Sequence, residues 1–383
     1  MINKISIDIL QVISQYLTPN DLVSLSATSI SLNKKIDRNF IKFLANNFYP
    51  FELEIKELKL IKNTKWSSLK LKKVLLNPKI EEINELLTFN NIIELYIDNA
   101  DKVNMNLTDT DIKEFKNFKN LKKLTLYECN DIYDVSALGN IPNLKLDKCN
   151  NIYDLKGLDN VINLDIDDCI GIDEIPILNN LKTLYLRYGS FNNLSNLEHM
   201  NIDCLELYNI ICNNYCNNYC NNYCNNFKFI DNIPIIHLYR IDIKDVSYLQ
   251  NLYYLSLDEC NSIINISGLK TLKILRIYSC MKLKKIENLE NLESLEIFQC
   301  YEIKSINNLK KLKYLEIGEC QNIVNISNFN NLDIVSLMSL KKLKKILNFT
   351  NINTLYLYDM KNYDFLNIDK IKNIYFDEYK ILK

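Results

Sequence analysis

The sequence predicts an α+β protein: a three-helix N-terminal segment, then a solenoid with a curved parallel sheet and a 3₁₀ or extended outer side. Three observations carry this. Cysteine recurs every 20 residues in two phased runs, Cys129, Cys149, Cys169 and Cys260, Cys280, Cys300, Cys320. Each closes the same phrase, as in Leu252-x-x-Leu255-x-Leu257-x-x-Cys260, and a fixed period of this kind marks stacked coils. Residues 1–48 lack the period and show helical spacing instead.

Composition narrows the function classes. A solenoid grows by adding coils, so the 383 residues count repeats more than domains. Apolar residues make up 48% of the chain, ample for a core, and a formal net charge of −1 argues against a general nucleic-acid binder or a membrane-surface protein. No apolar run approaches the ~18 residues that span a bilayer. Met1 to Asp8 lacks the basic start and unbroken apolar stretch of a signal peptide. The expected location is therefore intracellular, cytoplasmic or nuclear, where thiols stay reduced and the twelve cysteines read as packing residues before disulfides.

In residues 1–48, Ile9, Leu10, Ile13 and Leu17 fall on one helical face. Thr18, Pro19 and Asp21 supply a cap, a first-turn proline and a first-turn acid for a second helix carrying Leu22 and Leu25. A third helix runs through Leu32, Ile36, Phe40, Phe43 and Leu44. So short a segment cannot bury all these side chains, which leaves some for a partner. The phrase Leu17-x-Pro19-x-Asp21-Leu22-x-x-Leu25-x-Ala27-Thr28-Ser29 resembles the F-box. Ser6 stands where that family has the proline of its opening Leu-Pro, and no tryptophan stands near residue 40. The resemblance implies that Ile5, Ile9, Leu10, Ile13, Leu17, Pro19, Leu22 and Leu25 grip the Skp-type adaptor of a cullin–RING ubiquitin ligase. The alternative is that these helices cap the open apolar end of the solenoid.

Residues 49–91 read as a helical joint covering the first coil, with a helix through Ile80, Ile83, Leu86 and Leu87. The solenoid then occupies residues 92–383. Counting from each cysteine, apolar residues fall eight, five and three places before and three, six and nine after, as in Leu252, Leu255, Leu257, Ile263, Ile266 and Leu269 around Cys260. Gly189, Leu340 and Met360 keep the phase where cysteine is absent. The Leu-x-Leu part alternates with period two, a strand with one buried face. The spacing of three elsewhere is too tight for an α-helix in each coil, which predicts 3₁₀ turns and extended segments.

This pattern resembles the leucine-rich-repeat family over roughly residues 92–376. Leu272-x-x-Leu275-x-Ile277-x-x-Cys280 matches its short-repeat phrase with cysteine in place of asparagine. The resemblance implies that the cysteine points inward where the strand turns away. Disulfides or a metal along the ladder are not expected, because a parallel row of side chains neither converges nor comes close enough.

Two interruptions stand out. Between Ala100 and Cys129 the step is 29 residues, with an acidic stretch from Asp101 to Asp111. Between Gly189 and Cys260 there are 11 residues beyond three coils, coinciding with a low-complexity Cys-Asn-Asn-Tyr insertion at 212–227. The latter reads as a polar loop on the outer side; a thiolate metal site of Cys212, Cys216, Cys220 and Cys224 is its alternative.

No catalytic constellation is legible. Only His199 and His237 are present, neither spaced for a nucleophile–base pair, and six scattered glycines build no phosphate loop. No cofactor is expected. The informative row lies two residues before each cysteine, where side chains face outward from the sheet. It reads Tyr127, Asp147, Asp167, Arg187, Tyr208, Tyr239, Asp258, Tyr278, Phe298, Gly318, Met338 and Tyr358; six of the twelve are aromatic in a chain that is 10% aromatic. Rigid, outward aromatics are the anchors expected of a protein-binding face, although strands favour tyrosine on their own account. The candidate substrate-binding residues are Tyr127, Asp167, Arg187, Tyr208, Tyr239, Asp258, Tyr278, Phe298 and Tyr358. Acids flank them, and lysines gather on the outer turns, so a basic or mixed protein surface is the expected ligand. The expected assembly is a monomer within a ligase complex, or else a stand-alone repeat scaffold.

Overall fold

Seven buried positions per coil decide the architecture. The computed structural model describes residues 74–76 and 92–381, apart from 101–106, 192–193, 211–229, 328, 330, 344, 348–351, 361–370 and 378. The predicted N-terminal helices, with Ile5, Ile9, Leu10, Ile13, Leu17, Pro19, Leu22 and Leu25, lie outside the described residues, as does the insertion at 212–227. The chain divides into two compact units, Met1–Ile172 and Asp173–Lys383.

In the first unit, strands β1 (Val74–Leu76), β2 (Glu94–Asp98), β3 (Lys123–Tyr127), β4 (Asn143–Asp147) and β5 (Asn163–Asp167) pair in parallel and in chain order. The register superposes Leu95, Leu124, Leu144 and Leu164. Strand β1 falls inside the segment read as a helical joint, so the sheet starts earlier than the sequence suggests. Its Val-Leu-Leu run is short enough to form a strand as readily as a helix. The acidic interruption ends in a short helix, α1 (Asp109–Glu114), where the Asp111 carboxylate accepts from the backbone N–H and hydroxyl of Thr108 at 2.9 and 2.8 Å. Ile112 and Phe115 anchor it in the core.

In the second unit, the main sheet is β6 (Thr183–Arg187), β7 (Cys204–Tyr208), β8 (Ile235–Tyr239), β9 (Tyr254–Asp258), β11 (Ile274–Tyr278), β13 (Ser294–Phe298), β15 (Tyr314–Gly318), β17 (Ile334–Met338), β19 (Thr354–Tyr358) and β20 (Asn373–Phe376), all parallel. The last strand, β21 (Tyr379–Ile381), turns back antiparallel on β20 and ends the row. Strands β7 and β8 pair directly, Tyr208 with Tyr239, so the insertion between them interrupts no ladder.

The outer side is mixed. Three-residue 3₁₀ turns occur at Phe115–Asn117 and Ser136–Leu138, and a longer one at Ser195–His199. Further along, short strands replace them: β10 (Asn265–Ser267) pairs with β12 (Lys285–Glu287), and β14 (Ser305–Asn307), β16 (Asn325–Ser327) and β18 (Lys345–Leu347) form a second ladder.

The spacing of three has a plain cause. In the coil of Cys260, the Ile263 N–H donates to the Cys260 carbonyl at 3.4 Å, and the Leu272 N–H to the Leu269 carbonyl at 3.4 Å. These two corners separate extended sides, and Leu252, Leu255, Leu257, Cys260, Ile263, Ile266 and Leu269 all point inward with no exposed surface. At ~25 cal/mol per Å² of apolar area, burial on this scale is the main force holding coil to coil.

The cysteine ladder sits at the corner that ends each strand. Cys149 Sγ lies 3.4 Å from the Leu126 carbonyl and 3.5 Å from that of Asp147; Cys260 Sγ lies 3.5 Å from those of Leu238 and Asp258. The sulfurs accept as well: the Cys149 N–H donates to Cys169 Sγ at 3.3 Å, and the Leu340 N–H to Met360 Sδ at 3.5 Å. All seven ladder cysteines are buried free thiols. At Gly189, a Cβ would lie 2.4 Å from the Phe191 ring, which fills the corner in place of a side chain. The first coil departs from the sequence reading: Asn99 rather than Ala100 is buried there, its N–H bonded to the Tyr127 carbonyl at 3.0 Å.

Candidate functional site

The outward face of each sheet is built by strand alternation. In β9 the buried residues are Leu255 and Leu257, while Tyr254, Ser256 and Asp258 face out and are half-buried by their neighbours. Every strand therefore contributes three outward columns, and parallel register stacks each column residue on residue. All nine candidate residues, Tyr127, Asp167, Arg187, Tyr208, Tyr239, Asp258, Tyr278, Phe298 and Tyr358, lie half-buried in the outward column nearest the corner. The structure thus assembles Tyr127 and Asp167 on the face of the first unit and the other seven on that of the second.

On the first unit, Lys145 is the hub. Its ammonium lies 3.0, 3.9 and 3.2 Å from the carboxylates of Asp147, Asp165 and Asp167. Burial opposes the Lys145 charge, yet these acids hold its pKa above the ordinary lysine range. Burial likewise raises the Asp147 carboxyl despite Lys145. The Lys148 ammonium donates to the Tyr127 hydroxyl at 3.1 Å and pairs with Glu128 at 3.5 Å.

On the second unit the face is aromatic. Tyr208 and Tyr239 stack at 4.0 Å with planes 8° apart, and Tyr188 meets Tyr208 edge-on at 4.8 Å. Tyr278 and Phe298 stack at 5.5 Å, and Tyr356 stacks on Tyr375 at 4.9 Å. Carboxylates lock the rings: the hydroxyls of Tyr239, Tyr278 and Tyr314 donate to Glu259, Glu296 and Glu316 at 2.9, 2.9 and 2.5 Å. Burial, then the bonded carboxylate, pushes the Tyr278 and Tyr314 phenols well above their ordinary range. Gly318 explains itself here: a Cβ would lie 2.4 Å from two atoms of the Phe298 ring, which covers the glycine and buries it.

The columns further from the corner hold residues that the single-row reading passed over, among them Tyr185, Glu206, His237, Tyr254, Arg276 and Tyr356. The same period of two, carried two and four residues back along each strand, finds them. His237 packs on the Tyr254 ring at 4.8 Å. Burial lowers its pKa, with Glu206 opposing and Arg276 adding to the effect.

Among the described residues no group of three or more His, Cys, Asp or Glu converges to hold a metal ion, and no helix is long and apolar enough to cross a membrane. The run from Cys212 to Cys224 lies outside the described residues. Burial pushes the Cys260 thiol up to about 11 and those of Cys300 and Cys320 up to about 12, which keeps these three protonated.

Comparison with solved structures matches these coils to the TLR13–ssRNA13 complex, with TM-score 0.50 and 16% identity over 80% of this chain and 54% of the TLR13 chain. The fold is a leucine-rich-repeat-like β-solenoid. This chain spans about half the length of that structure, 54%. An internalin, InlF, from Listeria monocytogenes is similar at 17% identity and TM-score 0.34, covering 81% of this chain and 94% of its own. The functional domain of InlJ from the same species, described as including a cysteine ladder, is similar at 11% identity and TM-score 0.35, covering 71% of this chain and 70% of its own. No family model and no curated protein matches the sequence.

Proposed function

We propose that this leucine-rich-repeat-like solenoid is a non-catalytic scaffold that holds a partner protein on its outward strand face. One observation carries the reading. Tyr208, Tyr239, Tyr278, Phe298, Tyr356 and Tyr375 stand in stacked pairs on a hydrogen-bonded sheet, and carboxylates hold Tyr239 and Tyr278 in place. Aromatic side chains already fixed in place lose little entropy on binding and dominate protein interfaces. Arg187, Asp258 and Tyr358 extend the face of the second unit, and Tyr127 and Asp167 would act likewise on that of the first.

The test is a double substitution, Tyr208→Ala with Tyr278→Ala, compared with wild type in affinity purification from host cells. Loss of specific partners with an unchanged circular dichroism spectrum supports the reading. Retention of every partner sinks it.

The finer proposal is that the scaffold serves a cullin–RING ubiquitin ligase. Its support is the F-box resemblance of residues 1–48, in which Ile5, Ile9, Leu10, Ile13, Leu17, Pro19, Leu22 and Leu25 would meet a Skp-type adaptor. The strand face would then present a substrate to the ligase, in the cytoplasm or nucleus. Leu10→Asp with Leu22→Asp should abolish co-purification of adaptor and cullin while partners of the strand face remain. Deleting residues 1–48 separates the two readings: a solenoid that stays soluble fits the ligase, and one that aggregates fits a capping role.

A further inference from the structure

The strand face of the second unit carries an uneven charge. Its three arginines are each closed by a carboxylate of the next coil: Arg187 with Glu206 at 3.0 Å, Arg240 with Glu259 at 2.7 Å and Arg276 with Glu296 at 3.0 Å. Each guanidinium also lies over a tyrosine ring, 5.2 Å from Tyr185, 4.9 Å from Tyr239 and 5.7 Å from Tyr254. A guanidinium between an aromatic ring and a carboxylate is thus an arrangement this face makes three times from its own side chains.

Beyond Arg276 the aromatic and acidic parts continue without the arginine. Parallel register sets Glu296 directly opposite Glu316, and like charges so placed raise the energy of a sheet. Arg276 neutralises Glu296. Among the described residues, the contacts of Glu316 and Glu319 are with neutral groups. Glu316 accepts from Tyr314 at 2.5 Å and Ser336 at 3.3 Å, and Glu319 from Gln299 at 2.9 Å. The next residue in the Glu316 column is Ser336, which brings no charge. The rings of Tyr314 and Phe298 stand beside this acidic pair, and Gly318 between them adds no side chain of its own. From β9 to β19 no lysine stands in these columns; lysines gather instead on the outer turns, at Lys282, Lys284, Lys304, Lys341 and Lys342.

We propose that the face from Tyr278 to Met338 docks an arginine-bearing segment of the partner protein, one guanidinium seating on Glu316 beside Tyr314 and Phe298. The inference rests on the strand face being a protein-binding surface and names the chemistry of what binds there. Arginine fits better than lysine because a planar guanidinium can stack on a ring and share a carboxylate at once, as the three internal examples do. The flanking acid Glu319 would favour a basic segment over an acidic one.

Fluorescence anisotropy of the full chain with a labelled Ser-Arg-Ser-Arg-Ser-Arg peptide tests this. Wild type should bind, and Glu316→Gln should weaken binding roughly tenfold or more, as loss of a charge partner does at an interface. Glu302→Gln, on the exposed outer turn, should leave binding unchanged, and a Ser-Lys peptide should bind several-fold more weakly. Thermal unfolding guards against a folding artefact: removing the charge opposite Glu296 should leave the midpoint of Glu316→Gln equal to or above that of wild type. Absence of peptide binding, equal binding by wild type and Glu316→Gln, or equal loss with Glu302→Gln overturns the inference. If Tyr208→Ala with Tyr278→Ala still removes the cellular partner while Glu316→Gln leaves the peptide bound, the arginine seat is wrong and the protein-binding reading stands.

Discussion

The residue just before nearly every corner has left-handed backbone, and most of these residues are not of a type that favours it. Glu128, Lys148, Asp168, Glu259, Ser279, Gln299 and Glu319 all have φ between 50 and 53°. Their N–H groups explain the tolerance: Glu259 donates to the Tyr278 carbonyl, Ser279 to that of Phe298 and Gln299 to that of Gly318, at 2.9, 2.9 and 3.1 Å. Each of these residues thus makes a backbone bond to the next coil at the point where the strand turns away. Eight residues after the corner a second left-handed site occurs, and there the chain does use Gly157, Gly268, Asn288 and Asn308. At Gly268 nothing lies within 4 Å of the place a Cβ would take, so its angle alone asks for glycine. A β-branched side chain at the first site should be costly. Ser279→Val is expected to lower stability in urea unfolding by about 1–2 kcal/mol, whereas Ser279→Gly should be neutral or slightly stabilising. Equal effects of the two would show that the angle is not strained. The ladder thiols give a second expectation. In native protein, alkylation followed by peptide mapping should spare Cys129, Cys149, Cys169, Cys260, Cys280, Cys300 and Cys320 while half-buried Cys204 reacts first among the described cysteines. Rapid labelling of Cys280 would contradict its burial.

At the scale of the coil, the strand was legible and the rest only partly so. Period-two alternation located Leu255 and Leu257 inside and Asp258 outside because one face of a strand is nearly all that its pattern encodes. The outer side was legible as 3₁₀ turns and extended segments but not coil by coil, because both fit apolar residues every third place. Ser136–Leu138 bonds within its own turn, whereas Asn265–Ser267 pairs with Lys285–Glu287 of the next coil. The candidate face was half-read: the column of Tyr208 and Tyr278 was found, while His237 and Arg276 in the adjacent column were not. His237 supplies an element-scale prediction. The unfolded side chain takes up a proton near its ordinary value of 6.5, and burial holds the folded one lower. Below that value the unfolded chain binds more protons than the folded one, so this histidine's contribution is intact above about pH 6.5 and is lost as pH falls towards its folded pKa. His237→Phe, which can keep a ring on Tyr254, should flatten the fall in thermal midpoint between about pH 7 and pH 5 relative to wild type. An unchanged slope would mean that the imidazole is protonated as easily folded as unfolded.

Within each unit the coils are held together by their neighbours, and that makes the 20-residue period a testable unit. In a solenoid each coil touches only the coils before and after it, so stability is close to a sum of coil and interface contributions. Deleting residues 281–300 would join Cys280 to Tyr301 in phase. Strand β11 would then meet β15 with Leu275 beside Leu315 and Ile277 beside Ile317, the places that Leu295 and Ile297 now fill. Arg276 would meet Glu316 where it now meets Glu296, so the ion pair would survive. The deletion loses two ion pairs, since Glu293 bridges Lys273 and Lys313 at 3.2 and 2.7 Å, but exposed pairs of this kind contribute little. Deleting residues 281–290 removes half a turn instead. The chain would have to cross from Cys280 to β13 without its outer side, and Leu283, Ile286 and Leu289, all buried now, would be missing from that coil. The 20-residue deletion should therefore keep the circular dichroism spectrum and one cooperative urea transition, with a slope reduced only in proportion to the lost surface. The 10-residue deletion should broaden the transition and lower its midpoint. Should both deletions unfold alike, the coil would not be the cooperative unit, and the phase carried by the cysteines would record sequence ancestry rather than the packing that holds this chain together.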